Sequence, residues 1–234
     1  MNDRTPMQQP EIIRDFARVS PEIVKQASQY ASSILADVAG RRGALDGRIA
    51  PLTPKTRLAG TAFTVEVRAG DNLMIHAAMQ IAKPGDVLII DGKGDTTCAL
   101  MGTIMMNACV QLGIAGVVID AAVRDSEEIV EMGFPCYAVG TNPNGPTKYT
   151  PGRINHPISI GGVTVHPGDL VIGDADGVTV IEREKAPFML ELAAKKVTDE
   201  QTRIAALKQG KDLRPAWVTK SLIANGMLKE GEKL

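Results

Sequence analysis

Arg124 and Asp125 stand side by side just beyond the apolar run Gly116-Val117-Val118-Ile119-Asp120 and its extension Ala121-Ala122-Val123. An arginine at the end of a strand can grip a carboxylate through two parallel hydrogen bonds. The aspartate beside it could ligate a hard divalent cation such as Mg²⁺, which accepts one carboxylate and keeps several waters. A local role is also available: Asp125 followed three positions later by Glu128 is an aspartate version of the helix capping box. The two roles are compatible, and both stay open at this level.

A second stretch, Asp91-Gly92-Lys93-Gly94-Asp95, follows the run Val87-Leu88-Ile89-Ile90. Closely spaced glycines let backbone N–H groups approach an anion, and a following helix adds its positive end. A tight turn uses the same residues. Neither GxxxxGK[ST] nor GxGxxG occurs, so no nucleotide site is indicated. Lys93 is the Schiff-base candidate if carbonyl chemistry runs covalently. His76, His156 and His166 lie far apart without HxH or HxxxH spacing, which disfavours a histidine-built zinc site, and His76 reads as a partly buried structural residue. Asp174 and Asp176 read as a hairpin turn, because Val178 occupies what would be the third position of a calcium loop. Met101, Met105 and Met106 read as core or interface filler.

Composition narrows the partners. The 234 residues are 44% apolar and 23% charged, ordinary for a globular chain, and the 26 Lys and Arg nearly cancel the 27 Asp and Glu. No net field therefore draws the chain to nucleic acid or an anionic membrane, and with 3% aromatics it has few platforms for stacking bases. Three cysteines without a CxxC pattern argue against a disulfide framework. The charged opening twenty residues do not read as a signal peptide, and the expected location is cytoplasmic.

The elements that must position these residues follow from periodicity. Residues 1–10 read as a loose polar arm. Ser20-Pro21-Glu22 caps a helix expected over 21–39, and 41–57 reads as loop. Strands are expected at 59–67, 87–90, 116–120 and 135–139, alternating with helices at 72–82, 98–112 and 125–132. Such alternation means βαβ crossovers and a parallel sheet. The stretch 141–152 reads as an excursion too polar to pack. Hairpins follow at 158–165, around Gly161-Gly162, and at 170–181, then a long helix at 184–208 and a short one at 217–225. The fold class is one α/β domain with a C-terminal hairpin region and helical arms.

The stretches Gly70-Asp71-Asn72, KPGDVLIIDG at 83–92, GVVIDAAVRDSEEI at 116–129 and VHPGDLVIGDADGV at 165–178 together resemble the RraA-like superfamily. Within it the chain is similar to the class II pyruvate aldolases that cleave 4-hydroxy-4-methyl-2-oxoglutarate and 4-carboxy-4-hydroxy-2-oxoadipate. The resemblance spans about 20–210 and implies a single swivelling β/β/α-type domain there, with arms at 1–19 and 211–234. It implies that Arg124 binds the oxo-acid end of the substrate and offsets enolate charge, and that Asp125 ligates Mg²⁺ or Mn²⁺. Backbone N–H groups of the turn Gly102-Thr103-Ile104-Met105 would hold the substrate carboxylate, and Asn72 would line the pocket. Glu200 would enter from a neighbouring subunit of a homotrimer or homohexamer and hold a metal-bound water.

One departure matters. The aldolases carry Gly-Asp-Leu-Leu where this chain has Gly102-Thr103-Ile104-Met105. Thr103 can hydrogen-bond a water but cannot serve as a base, and such proton transfers are worth about 10²–10⁴-fold. The implied activity is metal-dependent C–C cleavage of a 4-hydroxy-2-oxo acid, decarboxylation of oxaloacetate, or both, with release of pyruvate. The alternative is a non-catalytic regulator of the RraA type that binds a protein partner.

Overall fold

Successive strand residues point to opposite faces of a sheet, so a strand covered on both sides must be apolar at every position. The runs at 87–90 and 116–119 meet that condition and are fully buried. The computed structural model describes residues 11–232, and the expected polar arm at 1–10 lies outside them. The elements are β1 (Glu11–Ile12), α1 (Pro21–Ala27), α2 (Ser32–Val38), β2 (Ala50–Pro51), β3 (Leu58–Glu66), α3 (Leu73–Met79), β4 (Asp86–Met101), α4 (Thr103–Gln111), β5 (Gly116–Val123), α5 (Ser126–Met132) and β6 (Cys136–Thr141). Then come β7 (Arg153–Ile154), β8 (Ile158–Ile160), β9 (Val163–Val165), β10 (Leu170–Asp174), β11 (Gly177–Ile181), α6 (Ala186–Lys208) and α7 (Trp217–Ala224).

Strands β3, β4, β5 and β6 are parallel neighbours in chain order, joined through α3, α4 and α5. Antiparallel strands β2, β7 and β10 extend the sheet at its two sides. On one face Phe63, Leu88, Ile90, Val117 and Ile119 pack with Ile75, Met106 and Ile129 of the crossover helices. On the other Val87, Ile89, Val118 and Tyr137 pack with Ile158, Val165, Val171 and Val178 of the two hairpins. Each of these fully buried aliphatic side chains contributes about 1.5–3 kcal/mol. The result is the expected α/β domain, with the crossover helices on one face of the sheet and, against the other, the β8–β9 hairpin and the β10–β11 hairpin that continues the sheet from β3. Gly161 and Gly162, with φ of 53° and 78°, make the left-handed two-residue turn that the dipeptide announces.

Three local expectations are corrected. The helix expected at 21–39 is two, α1 and α2. Ala31 has no side chain with which to cap α2, and Asp174 of the distant hairpin does so instead. Its carboxylate accepts from the Ser32 N–H at 2.8 Å and the Ser32 hydroxyl at 2.7 Å. The helix expected from 98 starts only at Thr103, because the buried residues 98–101 return to the sheet, where Ala99 pairs with Ala122 and Met101 with Val123. The 91–95 stretch is consequently an irregular bulge within β4, with Lys93 and Gly94 at φ of 63° and 71°. The excursion at 141–152 does pack, through hydrogen bonds, as described below.

The contacts divide the chain into two compact units, Met1–Ala193 and Ala194–Leu234. The first holds the sheet and both hydrophobic clusters. The second holds the remainder of α6 and α7. Among the described residues no helix is long and apolar enough to cross a membrane.

Candidate active site

Parallel strands deliver their C-terminal ends to one edge of the sheet, where the loops converge. Because Met101 at the end of β4 lies opposite Val123 at the end of β5, the residues that follow are neighbours. The Arg124 N–H donates to the Met101 carbonyl at 3.0 Å, and the Thr103 N–H donates to Asp125 Oδ2 at 3.0 Å. Asp125 therefore caps α4, the helix of the neighbouring crossover. It makes no side-chain cap to its own helix α5, which overturns the capping-box role. Its backbone is left-handed (φ 60°, ψ 44°), a conformation that costs a residue with a Cβ about 1–2 kcal/mol. The junction is held there by the carboxylate's bond across the strands.

Gly102 is the point of closest approach. A Cβ added to it would lie 2.5 Å from Asp125 Oδ2, 2.9 Å from Arg124 Cγ and 3.1 Å from Arg124 Nε. Only a glycine lets the two strand ends come this near. Of the turn that follows, the Met105 N–H donates to the Gly102 carbonyl, and the Ile104 N–H has no partner among the described residues. The positive end of α4 thus faces the Arg124-Asp125 pair with one unused donor.

Asn72, at the start of α3, donates from Nδ2 to the Leu100 carbonyl at 2.8 Å and to Met105 Sδ at 3.6 Å. Its Oδ1 is buried without a partner, and so is the Thr103 hydroxyl. A buried acceptor without a donor is costly unless a water or ligand completes it. Gly102, Ile104, Met105, Arg124, Asp125 and Asn72 all line one cavity of about 140 Å³. Arg124 and Asp125 also border a second cavity, of about 280 Å³, with Thr141, Asn142 and Pro143.

Residues that the sequence did not single out complete the site. Asp71 is buried and accepts from the Leu73 N–H (3.0 Å), the Thr147 hydroxyl (2.7 Å) and the N–H groups of Tyr149 (2.8 Å) and Thr150 (3.1 Å). Burial by itself would raise its pKa, but these bonds outweigh it and hold the carboxyl down at about 2. They pin the 141–152 excursion against the start of α3 and bring Pro146 and Lys148 into the cavity. His76, one turn along α3 from Asn72, is partly buried as expected and lines the cavity as well. Burial, with repulsion from Lys148 added, pushes its pKa below the ordinary histidine value.

The other candidates lie elsewhere. Lys93 is held by Asp91 at 2.5 Å and Glu66 at 3.0 Å. Burial would lower its pKa, but those two carboxylates raise it, the opposite of what an amine nucleophile needs. His156 lies 3.3 Å from Glu11, and His166 3.8 Å from Asp169. The three cysteines are free and buried, and burial raises the Cys109 and Cys136 thiols to about 12. Glu200 lies on α6 in the second unit, paired with Lys196 at 3.1 Å.

Among the described residues no three histidine, cysteine or carboxylate side chains are grouped to cage a metal ion. A hard cation held by one carboxylate and waters is compatible with the site. Asp125 Oδ1 accepts from none of the described residues, and the unpartnered Asn72 and Thr103 oxygens leave further capacity for bound water.

Comparisons with known proteins identify the family and the fold. Residues 21–180 match the family model described as RraA-like, Aldolase/RraA. A protein of Halalkalibacterium halodurans, provisionally named a 4-hydroxy-4-methyl-2-oxoglutarate aldolase, is 40% identical over 80% of this chain and 89% of its own length. Among solved structures, Streptomyces coelicolor RraAS2, described as an unusual member of the RNase ES inhibitor RraA protein family, superposes with a TM-score of 0.73 at 25% identity, covering 81% of this chain and 98% of its own. A Pseudomonas syringae pv. tomato protein shares the fold with a TM-score of 0.75 at 24% identity, over 84% of this chain and 96% of its own.

Proposed function

The chain belongs to the RraA-like family of aldolases and RraA proteins, and on that premise we propose that it is a divalent-metal-dependent carbon–carbon lyase releasing pyruvate from a 2-oxo acid. The observation that supports this reading best is the Arg124-Asp125 pair closed against the positive end of α4 over Gly102.

Arg124, which lines both cavities, presents a planar set of donors suited to hold the oxo-acid end of a substrate. Its fixed charge is strongest where water is partly excluded, so it stabilises the enolate character that develops as the C–C bond breaks. The free Ile104 N–H and the α4 dipole add a neutral donor and a partial positive charge for the same carboxylate. Asp125 would hold Mg²⁺ or Mn²⁺, and the cation when bound supplies Lewis-acid stabilisation of the developing negative charge. Asn72 Oδ1 accepts from a water or from a hydroxyl of the substrate.

Thr103 divides the two possible reactions. Aldol cleavage requires a base to take the proton of the C4 hydroxyl, and a threonine cannot be that base. Decarboxylation of oxaloacetate forms the same enolate and asks only that a proton reach it afterwards, which water can provide. Oxaloacetate decarboxylation is accordingly the leading activity, with cleavage of 4-hydroxy-2-oxo acids second. In the proposed assembly, a homotrimer or homohexamer, a neighbouring subunit would bring Glu200 to the site.

The test is pyruvate release from oxaloacetate and a panel of 4-hydroxy-2-oxo acids, each with Mg²⁺, with Mn²⁺ and after chelation. Turnover that vanishes on chelation and returns with metal is expected. The likeness to the Streptomyces RraA protein favours a second reading, a non-catalytic regulator that binds a protein partner. Absence of turnover on every substrate by the folded protein would select that reading.

A further inference from the structure

A further cavity, of about 770 Å³, shares no lining residue with the two at Arg124, which measure about 140 and 280 Å³. It lies where the end of α2, the Gly162 turn of the β8–β9 hairpin, the end of β11 and the start of α6 meet. The buried Val180 and Ile181 and the half-buried Val163 and Met189 give it an apolar lining. Its size is that of a pocket for an organic ligand, about 300–1,000 Å³. A short, polar 2-oxo acid would leave most of that lining wet.

The two carboxylates in this lining are already engaged. Asp169 is buried and accepts from the His166 N–H at 2.9 Å and the Arg183 N–H at 3.0 Å, and Glu182 pairs with Lys185 at 2.7 Å. Arg41 and Arg42 also line the cavity, and their guanidinium groups have no ion pair or hydrogen bond among the described residues. The backbone that carries them is pinned on both sides. The Gly40 N–H donates to the Asp37 carbonyl at 3.0 Å and the Arg41 N–H to the Ala36 carbonyl at 2.8 Å, closing the end of α2. Beyond them the Val180 N–H donates to the Gly43 carbonyl at 2.8 Å and the Leu45 N–H to the Val178 carbonyl at 2.9 Å. A Cβ on Gly43 would lie 2.2 Å from the Val180 oxygen, so only glycine lets the turn approach β11 this closely. Within this fixed turn Arg41 is left-handed, with φ of 62°, a conformation that is costly for arginine and free for glycine. A side chain kept at such a position on a cavity wall points to a use for that side chain.

We propose that this cavity is a second ligand site, for an amphiphilic organic anion such as an acyl or aryl carboxylate. The apolar body lies against Val163, Val180, Ile181 and Met189, and the carboxylate meets Arg41 and Arg42. A guanidinium matches a carboxylate with two parallel donors, and the two arginines bring a positive charge that the lining does not balance. The apolar lining gains from covering a hydrocarbon body and gains nothing from a small hydrophilic anion. The site is separate from the chemistry at Arg124 and stands whether or not the protein is a lyase.

The experiment is calorimetric titration of the full chain with octanoate, with acetate as the head group alone and 1-octanol as the body alone. It is run on the wild-type protein, Arg41→Gly, Arg42→Gln and Val163→Trp, with Tm measured for each. Octanoate should bind the wild type saturably and about tenfold or more tighter than either control. Each arginine variant should weaken it by about tenfold or more, as for loss of a charge-assisted hydrogen bond, and Val163→Trp should fill the cavity and abolish binding. Arg41→Gly should at the same time raise Tm by about 2 °C, because glycine relieves the left-handed backbone while the ligand contact is lost. Absence of saturable octanoate binding, equal affinity for 1-octanol, or unchanged affinity in both arginine variants would overturn the site. So would a fall in Tm for Arg41→Gly, which would make the arginine a structural residue of the turn.

Discussion

Replacing Gly102 by alanine isolates the contact that builds the site. The backbone there is extended (φ −149°, ψ −171°), a conformation open to alanine, so the substitution carries no conformational penalty of its own. The added Cβ would lie 2.5 Å from Asp125 Oδ2, whereas ordinary contact begins at 3.4 Å, so the carboxylate must retreat by about 0.9 Å or the two strand ends must part. Either movement breaks the 3.0 Å bond from the Thr103 N–H and displaces Asp125 relative to Arg124. A misplacement of about 1 Å in a reacting constellation costs on the order of 10²-fold in rate, or about 2.7 kcal/mol of transition-state stabilisation. Loss of the cap on α4 costs about 1 kcal/mol, which lowers Tm by about 2–4 °C in a chain of this size. The assay is metal-dependent pyruvate release from oxaloacetate coupled to lactate dehydrogenase, with Mn²⁺ affinity read by electron paramagnetic resonance and Tm by calorimetry. A near-normal kcat/KM in a well-folded Gly102→Ala protein would refute the argument that this close approach sets the catalytic geometry. So would a Tm loss above 10 °C, because the damage would then be to the fold.

Four further outcomes follow from the same geometry. Arg124→Ala should abolish turnover while leaving the circular dichroism and oligomer size of the wild type; collapse of the fold would count against a purely catalytic role. Thr103→Asp restores a proton acceptor and should raise the ratio of aldol cleavage to decarboxylation by about 10²-fold or more, measured on the substrate panel. Asp71 has its pKa depressed to about 2, so its stabilisation is full above the unfolded value of about 3.9 and fades as pH falls toward 2. Asp71→Asn should therefore lose about 2 kcal/mol at neutral pH and flatten the acid limb of the stability curve between pH 4 and 2, as chemical denaturation at each pH would show. Lys93→Met should keep its metal-dependent activity, and borohydride with pyruvate should trap no adduct in the wild type; a trapped adduct on Lys93 would revive the Schiff-base route.

Local sequence determined what adjacent residues can settle. Apolar runs long enough for strands but not helices, alternating with helical periodicity, required parallel βαβ units, and Gly161-Gly162 required a tight hairpin. The Arg-Asp dipeptide at the end of an apolar run was legible as a candidate site because parallel strands direct their ends to one edge. Tertiary structure decided the rest, because the partners lie far apart along the chain. Asp125 looked like the cap of the helix that follows it and instead caps α4, 22 residues earlier. Residues 98–101 have good helical character, yet burial beside β5 outweighs the modest intrinsic preference. The 141–152 excursion has too few apolar groups to pack hydrophobically. It is ordered by Asp71, 76 to 79 residues away, through hydrogen bonds that leave no periodic trace. His76 and Lys148 entered the cavity by that route. Periodicity reports what a segment buries, whereas the charge balance of a site depends on which segments the fold brings together.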